Sequence, residues 1–240
     1  MIRITRPPKP VELTDDMQAS LTAEFKANGT AVWRRDWIVD TLKAATYSKC
    51  AFSEMRLDEE GKYMQVEHFN PKSRYPDEVV EWTNLLPICN VCNSKKWNWD
   101  TKQKPLVNPM DEDPKEFFFI RNGRINARDV SNKKATDTIE QYDLNNAEQL
   151  RPVRCEIEKK IREDLAEYQT HYSQDKDYWS GKLLKLMVSS GRESVYSATK
   201  ATAILLDISY SLLKQTLTGE GRWTAEFERA EQELAFCALI

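Results

Sequence analysis

Three stretches of sequence decide the fold of this chain: VEHFNPKS at residues 66–73, WTNLLP at residues 82–87 and CNVCNSKK at residues 89–96. Side chains alternate in character from Lys62 to Phe69, which predicts a strand. A second short strand is predicted at Leu85–Ile88, and a helix is predicted to start near Asn90. This order of strand, strand and helix predicts a small α+β unit.

The residue types in these stretches suit acid–base and metal chemistry. The chain has only two histidines, and His68 directly follows an acid at the end of the predicted strand. An imidazole has a pKa near neutrality, so His68 can take a proton from water. Glu67 and Asn93 offer oxygen ligands, which suit a hard cation such as Mg²⁺ or Mn²⁺. One base and one cation together supply what the cleavage of a phosphodiester requires.

The five cysteines are unevenly spaced, which argues against a disulfide framework. Free thiols fit a reducing compartment, so we expect the protein in the cytoplasm. Cys50, Cys89 and Cys92 have the spacing of zinc ligands, but Ser53 stands where a fourth cysteine would complete the site. Either another group completes a structural zinc site, or the three thiols are buried without metal.

The charge balance, 35 basic against 38 acidic residues and a net charge of −3, excludes a protein that coats nucleic acid by bulk charge. Nucleic-acid contacts must therefore come from local lysines, and the candidates are Lys72, Lys95, Lys96, Lys102 and Lys104. Trp97 and Trp99 are expected to pack rather than to stack on bases. The start of the chain lacks the apolar core of a signal peptide, and no apolar run is long enough for a membrane helix.

Composition divides the chain into four segments. These are a basic, proline-rich arm and helix at 1–46, the α+β unit at 47–104, a connector with a β-hairpin at 105–151, and a helical region at 152–240. The helix of the first segment is predicted at 31–46, because Trp33, Trp37 and the apolar residues up to Leu42 recur at helical spacing. The hairpin is expected to turn at Asn122-Gly123, because a type I′ turn needs two positive φ angles. Apolar stripes at residues 157–168 and 204–212 predict amphipathic helices. The expected fold class is α+β, with a small core embedded in a mainly α-helical chain.

The stretches around His68 resemble the HNH nucleases, which have a ββα-metal fold. The resemblance implies that Glu67 is a metal ligand and that His68 is the general base. It also implies that Asn84 holds the loop of His68 and that Asn93 is the second metal ligand. Many HNH nucleases frame this core with two C-x-x-C pairs that bind zinc, and here the pair that contains Ser53 is incomplete.

Further stretches are similar to the HNH subunit of Septu and retron-associated antiphage systems, the PtuB family. They are RPPKP at residues 6–10, YSKCAF at residues 47–52, NP at residues 108–109 and YDLN at residues 142–145. The similarity covers most of the first 155 residues. It implies a toxic effector nuclease that works with an ATPase subunit of the ABC or SMC type, and in some systems with a retron ribonucleoprotein. No membrane partner is expected.

Two other functions compete with cleavage of DNA. The same chemistry could be directed at RNA such as a tRNA, because residues at the cut bond do not select the polymer. A non-catalytic zinc-knuckle binding module would keep its cysteines and would not need Glu67 and His68. The chain has the intact acid–base pair and the incomplete cysteine set, which favours the enzyme.

Overall fold

The computed structural model describes residues 1–57 and 64–240. The helices in this part of the chain are α1 (Asp15–Asn28), α2 (Asp36–Ala45), α3 (Asn90–Lys96), α4 (Lys133–Gln141), α5 (Arg151–His171), α6 (Lys176–Val188), α7 (Ser197–Leu205), α8 (Ile208–Gly219) and α9 (Ala225–Cys237). The strands are β1 (Gln65–His68), β2 (Leu85–Ile88), β3 (Phe118–Arg121) and β4 (Arg124–Ala127). The described chain is thus mostly helical with two small sheets, in agreement with the predicted α+β class.

The chain forms two compact units, each built from separate stretches. The cleft unit contains Arg3–Asp113 and Asp129–Leu144, and the hairpin–helix unit contains Met1–Ile2, Pro114–Arg128 and Asn145–Ile240. The segment predicted as a connector, 105–151, is shared between them. Its hairpin belongs to the hairpin–helix unit, and its helix α4 belongs to the cleft unit.

The cleft unit contains the predicted order of strand, strand and helix. Strands β1 and β2 pair antiparallel, so that His68 lies opposite Leu85, and α3 starts at Asn90. The predicted bounds of β2 and the predicted start of α3 are confirmed. Strand β1 ends one residue before the predicted end, and residues 58–63, which include the predicted start, lie outside the described residues. All four residues of β2 are buried, so this strand forms the centre of the unit.

The basic arm at the start of the chain is fixed to the cleft unit. The Arg6 guanidinium donates to the Trp82 carbonyl at 3.0 Å, and the Trp82 indole donates to the Pro7 carbonyl at 2.9 Å. Arg6 also forms an ion pair with Asp111 at 3.2 Å. These contacts hold the arm beside β2 and show how a proline-rich, extended segment becomes part of the unit.

Helix α1 was not predicted, because its apolar pattern is weak and Leu21 is its one buried residue. Its ends carry clear signals nonetheless: the Thr14 side chain accepts from the Met17 amide, and Gly29 ends the helix at φ 72°. The helix predicted at 31–46 begins later, at Asp36. Trp33 therefore lies in the connection between the two helices.

The hairpin–helix unit confirms the predicted turn and one of the two apolar stripes. Asn122 and Gly123 have φ angles of 51° and 68°, as a type I′ turn requires. On α5 the stripe that ends at Tyr168 is buried apart from its half-buried first residue, Ile157. The prediction of one amphipathic helix across residues 204–212 is wrong. Helix α7 ends at Leu205, α8 starts at Ile208, and the Ile208 side chain is 71% exposed. Among the described residues, no helix combines the length and apolar character needed to cross a membrane.

Candidate active site

A cleft of about 700 Å³ lies on the cleft unit, between β1, α3 and the loop that follows β1. Its lining includes Glu67, His68, Lys72, Asn93 and Trp97. The structure therefore brings both predicted metal ligands and the predicted base to one cavity. Asn84 does not line this cavity; it bonds to the backbone of the loop that follows β1.

His68 is held in one orientation and one protonation state. Its Nε2 lies 2.9 Å from the Val79 carbonyl oxygen, which can only accept, so Nε2 carries the proton and Nδ1 keeps a free lone pair. The Trp33 ring meets the imidazole edge to face, with 4.7 Å between ring centroids. Burial, followed by the positive charge of Lys72, lowers the pKa of His68 to about 3. The ring is therefore neutral at neutral pH, and its Nδ1 is available as a hydrogen-bond acceptor.

Asn84 ties together the two segments that position His68. Its Oδ1 accepts from the Asn70 amide at 2.6 Å, and its Nδ2 donates to the carbonyls of Asn70 at 3.1 Å and Glu78 at 3.0 Å. Asn70 follows closely after His68, and Glu78 directly precedes Val79, whose carbonyl fixes the imidazole. One buried side chain thus sets the distance between the base and its hydrogen-bond partner.

Lys96 holds Glu67 from the adjacent face of α3. Its ammonium lies 2.5 Å from Glu67 Oε1 and also donates to the His68 carbonyl at 2.8 Å. Both side chains are buried, with residue exposures of 2% and 6%. Burial raises the pKa of Glu67, and the Lys96 charge opposes that shift. The predicted phosphate contact of Lys96 does not fit this burial: the ammonium faces Glu67 rather than solvent.

The side-chain oxygens of Glu67 and Asn93 in the cleft are suitable ligands for a hard cation. Asn93 Nδ2 donates to the Gln65 side-chain oxygen at 2.6 Å, which leaves Asn93 Oδ1 as an acceptor. The contacts that described residues make to the Glu67 carboxylate, from Lys96 and Tyr142, both go to Oε1, so Oε2 has no described partner. A carboxylate and an amide oxygen facing one cavity suit Mg²⁺ or Mn²⁺ better than zinc.

Lys72 is the predicted phosphate contact that lies inside the cleft. Its ammonium sits 4.8 Å from the centroid of the Trp33 ring, and it lines the same cavity as His68. Burial lowers the pKa of Lys72, and the nearby charge of Glu67 opposes this. A half-buried ammonium beside the base can meet an anionic substrate without a large loss of its own hydration.

The remaining predicted lysines lie outside the cleft and differ in their partners. Lys95 approaches Asp143 at 3.8 Å, and Lys102 forms a close ion pair with Glu78. Lys104 lines a second cavity of about 380 Å³ next to the cleft. Phosphate contacts by these lysines stay a prediction, and at Lys102 a phosphate would compete with Glu78 for the ammonium.

Two tryptophans near the cleft behave differently from each other. Trp99 is half-buried and donates from its indole to the Lys104 carbonyl at 2.8 Å, which agrees with a packing role. Trp97 is 79% exposed at the mouth of the cleft, so its predicted packing role is wrong. The reason is its position one residue beyond the end of α3, where none of the described elements covers it.

Some contributors to the cleft were missed by sequence reasoning. Gln65 lies two residues before Glu67 on β1, so the period of a strand places both on one face and could have identified it. Trp33 and Val79 carry no such signal, because they contact His68 from distant positions through the ring edge and a backbone carbonyl.

Behind the β1–β2 pair lies a cluster of cysteines. The sulfur atoms of Cys50, Cys89 and Cys92 are buried and lie within 4.8 Å of one another. Within residues 1–57 and 64–240, they form the one group of at least three His, Cys, Asp or Glu side chains close enough to hold a metal ion together. Ser53 Oγ lies 3.4 Å from Cys89 Sγ, so the hydroxyl occupies the fourth corner. Burial opposes ionisation, yet hydrogen bonds from Cys89 and Cys92 hold the pKa of Cys50 well below its usual range.

The hydrogen bond with Cys50 raises the pKa of Cys89 to about 12. Three sulfur ligands suit zinc, but a serine hydroxyl is a poor fourth ligand. Structural zinc therefore stays a prediction.

Replacing Ser53 with cysteine should complete this cluster. Because Ser53 Oγ already lies beside Cys89 Sγ, a thiol in its place needs little rearrangement. We expect Ser53→Cys to raise the zinc content to about one ion per chain and to raise the melting temperature. Elemental analysis and thermal denaturation check this, with Ser53→Ala as the matched control. One tightly held zinc in the wild-type protein would show instead that a fourth ligand already exists.

Fold and cleft together define a class of site: a strand–strand–helix unit with a fixed neutral histidine, oxygen ligands for a cation, and a lysine for an anion.

No family model matches the chain. It is 33% identical over 240 aligned residues to the Septu protein PtuB of Bacillus thuringiensis, an alignment that covers 95% of this chain and 91% of that protein. It is 24% identical over 203 residues to the Septu protein PtuB of Bacillus mycoides (strain KBAB4), covering 67% of this chain and 68% of the relative. The chain therefore belongs to the PtuB family of Septu proteins.

Proposed function

We propose that this chain is a metal-dependent HNH endonuclease that cuts nucleic-acid phosphodiester bonds, with DNA as the favoured substrate. The observation that carries the proposal is the position of His68. Its Nδ1 lone pair is free because Nε2 donates to Val79, and it shares one cleft with Glu67 and Asn93. A base and oxygen ligands in one cavity are the components that phosphodiester hydrolysis requires.

The residues of the cleft divide the work of hydrolysis among them. His68 Nδ1 takes the proton of the attacking water, and the Val79 carbonyl stabilises the imidazolium that results. A bound phosphodiester adds negative charge to the cleft, which favours the protonated ring as the reaction proceeds. Lys72 contacts a non-bridging phosphate oxygen. Glu67 and Asn93 would hold a divalent cation, which supplies positive charge for the phosphate and the leaving oxygen.

Membership of the PtuB family supports a place in an antiphage system of the Septu type. A nuclease with an intact cleft would damage its own cell unless it were restrained. We propose that restraint comes from an ATPase subunit of the ABC or SMC type, to which the helices of the hairpin–helix unit bind. A retron ribonucleoprotein is a further partner that this proposal allows.

Co-expression with the neighbouring ATPase, followed by size-exclusion chromatography, tests the partnership. We expect co-elution. When Mg²⁺ is present, we expect the isolated chain to cut DNA and the purified complex to cut it more slowly, because the ATPase subunit restrains the nuclease. Total tRNA is assayed in parallel, because the same chemistry can act on RNA. Cleavage of tRNA but not of DNA would identify RNA as the substrate. A chain that elutes alone and cuts neither polymer would contradict the proposal and favour a binding module.

A further inference from the structure

Trp97 stands at the junction of two cavities on the cleft unit. It lines the cleft that contains His68 and also the second cavity, whose lining includes Lys104. Its indole is 79% exposed. An apolar ring of this size gains little from water, so its position calls for an explanation beyond packing.

The backbone at Trp97 is strained. It has φ 47° and ψ −120°, and the Trp99 amide donates to the Lys96 carbonyl at 3.0 Å. These values define a type II′ turn with Trp97 at its first central position, where glycine is strongly favoured. A bulky side chain there costs folding free energy, and such costs are concentrated at functional sites.

The residues on both sides of Trp97 hold the backbone of the turn in place. Lys96 is buried against Glu67. The Asn98 side chain accepts from Ser73 Oγ at 2.9 Å, and its carbonyl accepts from Arg74 at 3.4 Å. The turn is therefore anchored before and after Trp97, and the indole projects from a rigid base. Because the backbone of the turn is already held in place, little backbone ordering is needed when a ligand stacks on the ring.

The charges around Trp97 suit a polyanion that passes from one cavity to the other. Lys72 lies in the cleft on the side of His68. In the second cavity Arg74 pairs with Asp100 at 3.7 Å, and Lys104 forms no ion pair with any described residue. A cation on each side of an exposed indole is the arrangement with which proteins follow a single strand: cations track phosphates, and the ring stacks on a base.

We propose that Trp97 stacks on an unpaired base next to the bond that is cut, so that the cleft selects single-stranded or locally unpaired nucleic acid. This rests on the proposed nuclease function and names its substrate class. A base inside a duplex already stacks on its neighbours, so an indole gains a stacking partner only where the base is free. DNA and RNA both offer such a base, and the assay below separates them.

The test uses Trp97→Gly in the full chain, with His68→Ala present in every protein so that no probe is cut. Binding is measured with fluorescein-labelled single-stranded DNA, single-stranded RNA and duplex DNA, in Mg²⁺. We expect Trp97→Gly to weaken binding of the preferred single strand about tenfold or more, and to leave duplex binding nearly unchanged. Trp97→Phe should keep most of the affinity, and Tyr178→Ala, at a 53% exposed aromatic of the hairpin–helix unit, should change nothing.

Stability gives an independent readout. Because glycine accepts a positive φ, Trp97→Gly should melt at the same temperature as its parent or higher. Unchanged binding of single strands, an equal loss for duplex, or a lower melting temperature would each overturn the proposal. The first result would fit a protein contact at Trp97, and the last would fit a packing role. Failure of the nuclease function is seen separately, as a wild-type protein that cuts none of the three probes.

Discussion

His68→Ala should abolish nucleic-acid cleavage while the protein stays folded and keeps its affinity for the substrate. The loss of a general base typically lowers the rate by about 10² to 10⁴. The effect should be near the upper end of this range, because His68 is neutral, fixed by Val79 and backed by Trp33. Among the described residues that line the cleft, it is the one imidazole.

The control for this variant is His171→Ala, since the chain contains only these two histidines. His171 lies at the end of α5, where its ring stacks on Trp179 with 5.6 Å between centroids. We expect His171→Ala to cleave like the wild type. Circular dichroism at the assay temperature shows that both variants are folded. Cleavage by His68→Ala at the wild-type rate would refute the assignment of the base.

Lys96→Met should destabilise the protein strongly, and far more than the same substitution at the neighbouring Lys95. The ammonium contacts Glu67 and the His68 carbonyl, and its side chain is buried. Methionine has a similar length but leaves the Glu67 carboxylate as a buried, unpaired charge. Breaking a buried pair on one side costs about 3–5 kcal/mol in the free energy of unfolding. Chemical denaturation measures this loss directly.

Lys95→Met is the matched control, because Lys95 is the neighbouring residue and its ammonium is exposed near Asp143. Its loss should cost less than about 1 kcal/mol. Adding Glu67→Gln to Lys96→Met should recover part of the lost stability, since no buried charge then remains unpaired. If Lys96→Met and Lys95→Met unfold at the same denaturant concentration, the buried pair contributes nothing and Lys96 is free for another role.

The local elements of the fold could be predicted, because their signals lie within a few residues. Asn122-Gly123 specifies a type I′ turn through two positive φ angles, and the structure has them. The short strand at Leu85–Ile88 and the helix that follows were equally clear. The cleft itself followed from residue chemistry and the family resemblance, because Glu67, His68 and Asn93 lie close together once β1 and α3 pack.

The environment of each side chain could not be predicted in the same way. Lys95 and Lys96 are adjacent and chemically identical, yet the orientation of α3 buries one and exposes the other. Trp97 has the residue type of a core position, but the helix ends before it and no described residue covers the ring. The burial of Lys95, Lys96 and Trp97 depends on where α3 starts and stops relative to β1. A shift of α3 by one residue would change which of these side chains is buried.

A metal titration of the cleavage rate tests the central proposal most directly. The rates of wild type, Glu67→Gln, Asn93→Ala and His68→Ala are measured over increasing Mn²⁺, starting from chelated protein. We expect no cleavage without metal, a higher Mn²⁺ requirement for the two ligand variants, and no rescue of His68→Ala at any concentration. Cleavage that is indifferent to the chelator, or ligand variants with the metal requirement of the wild type, would contradict it.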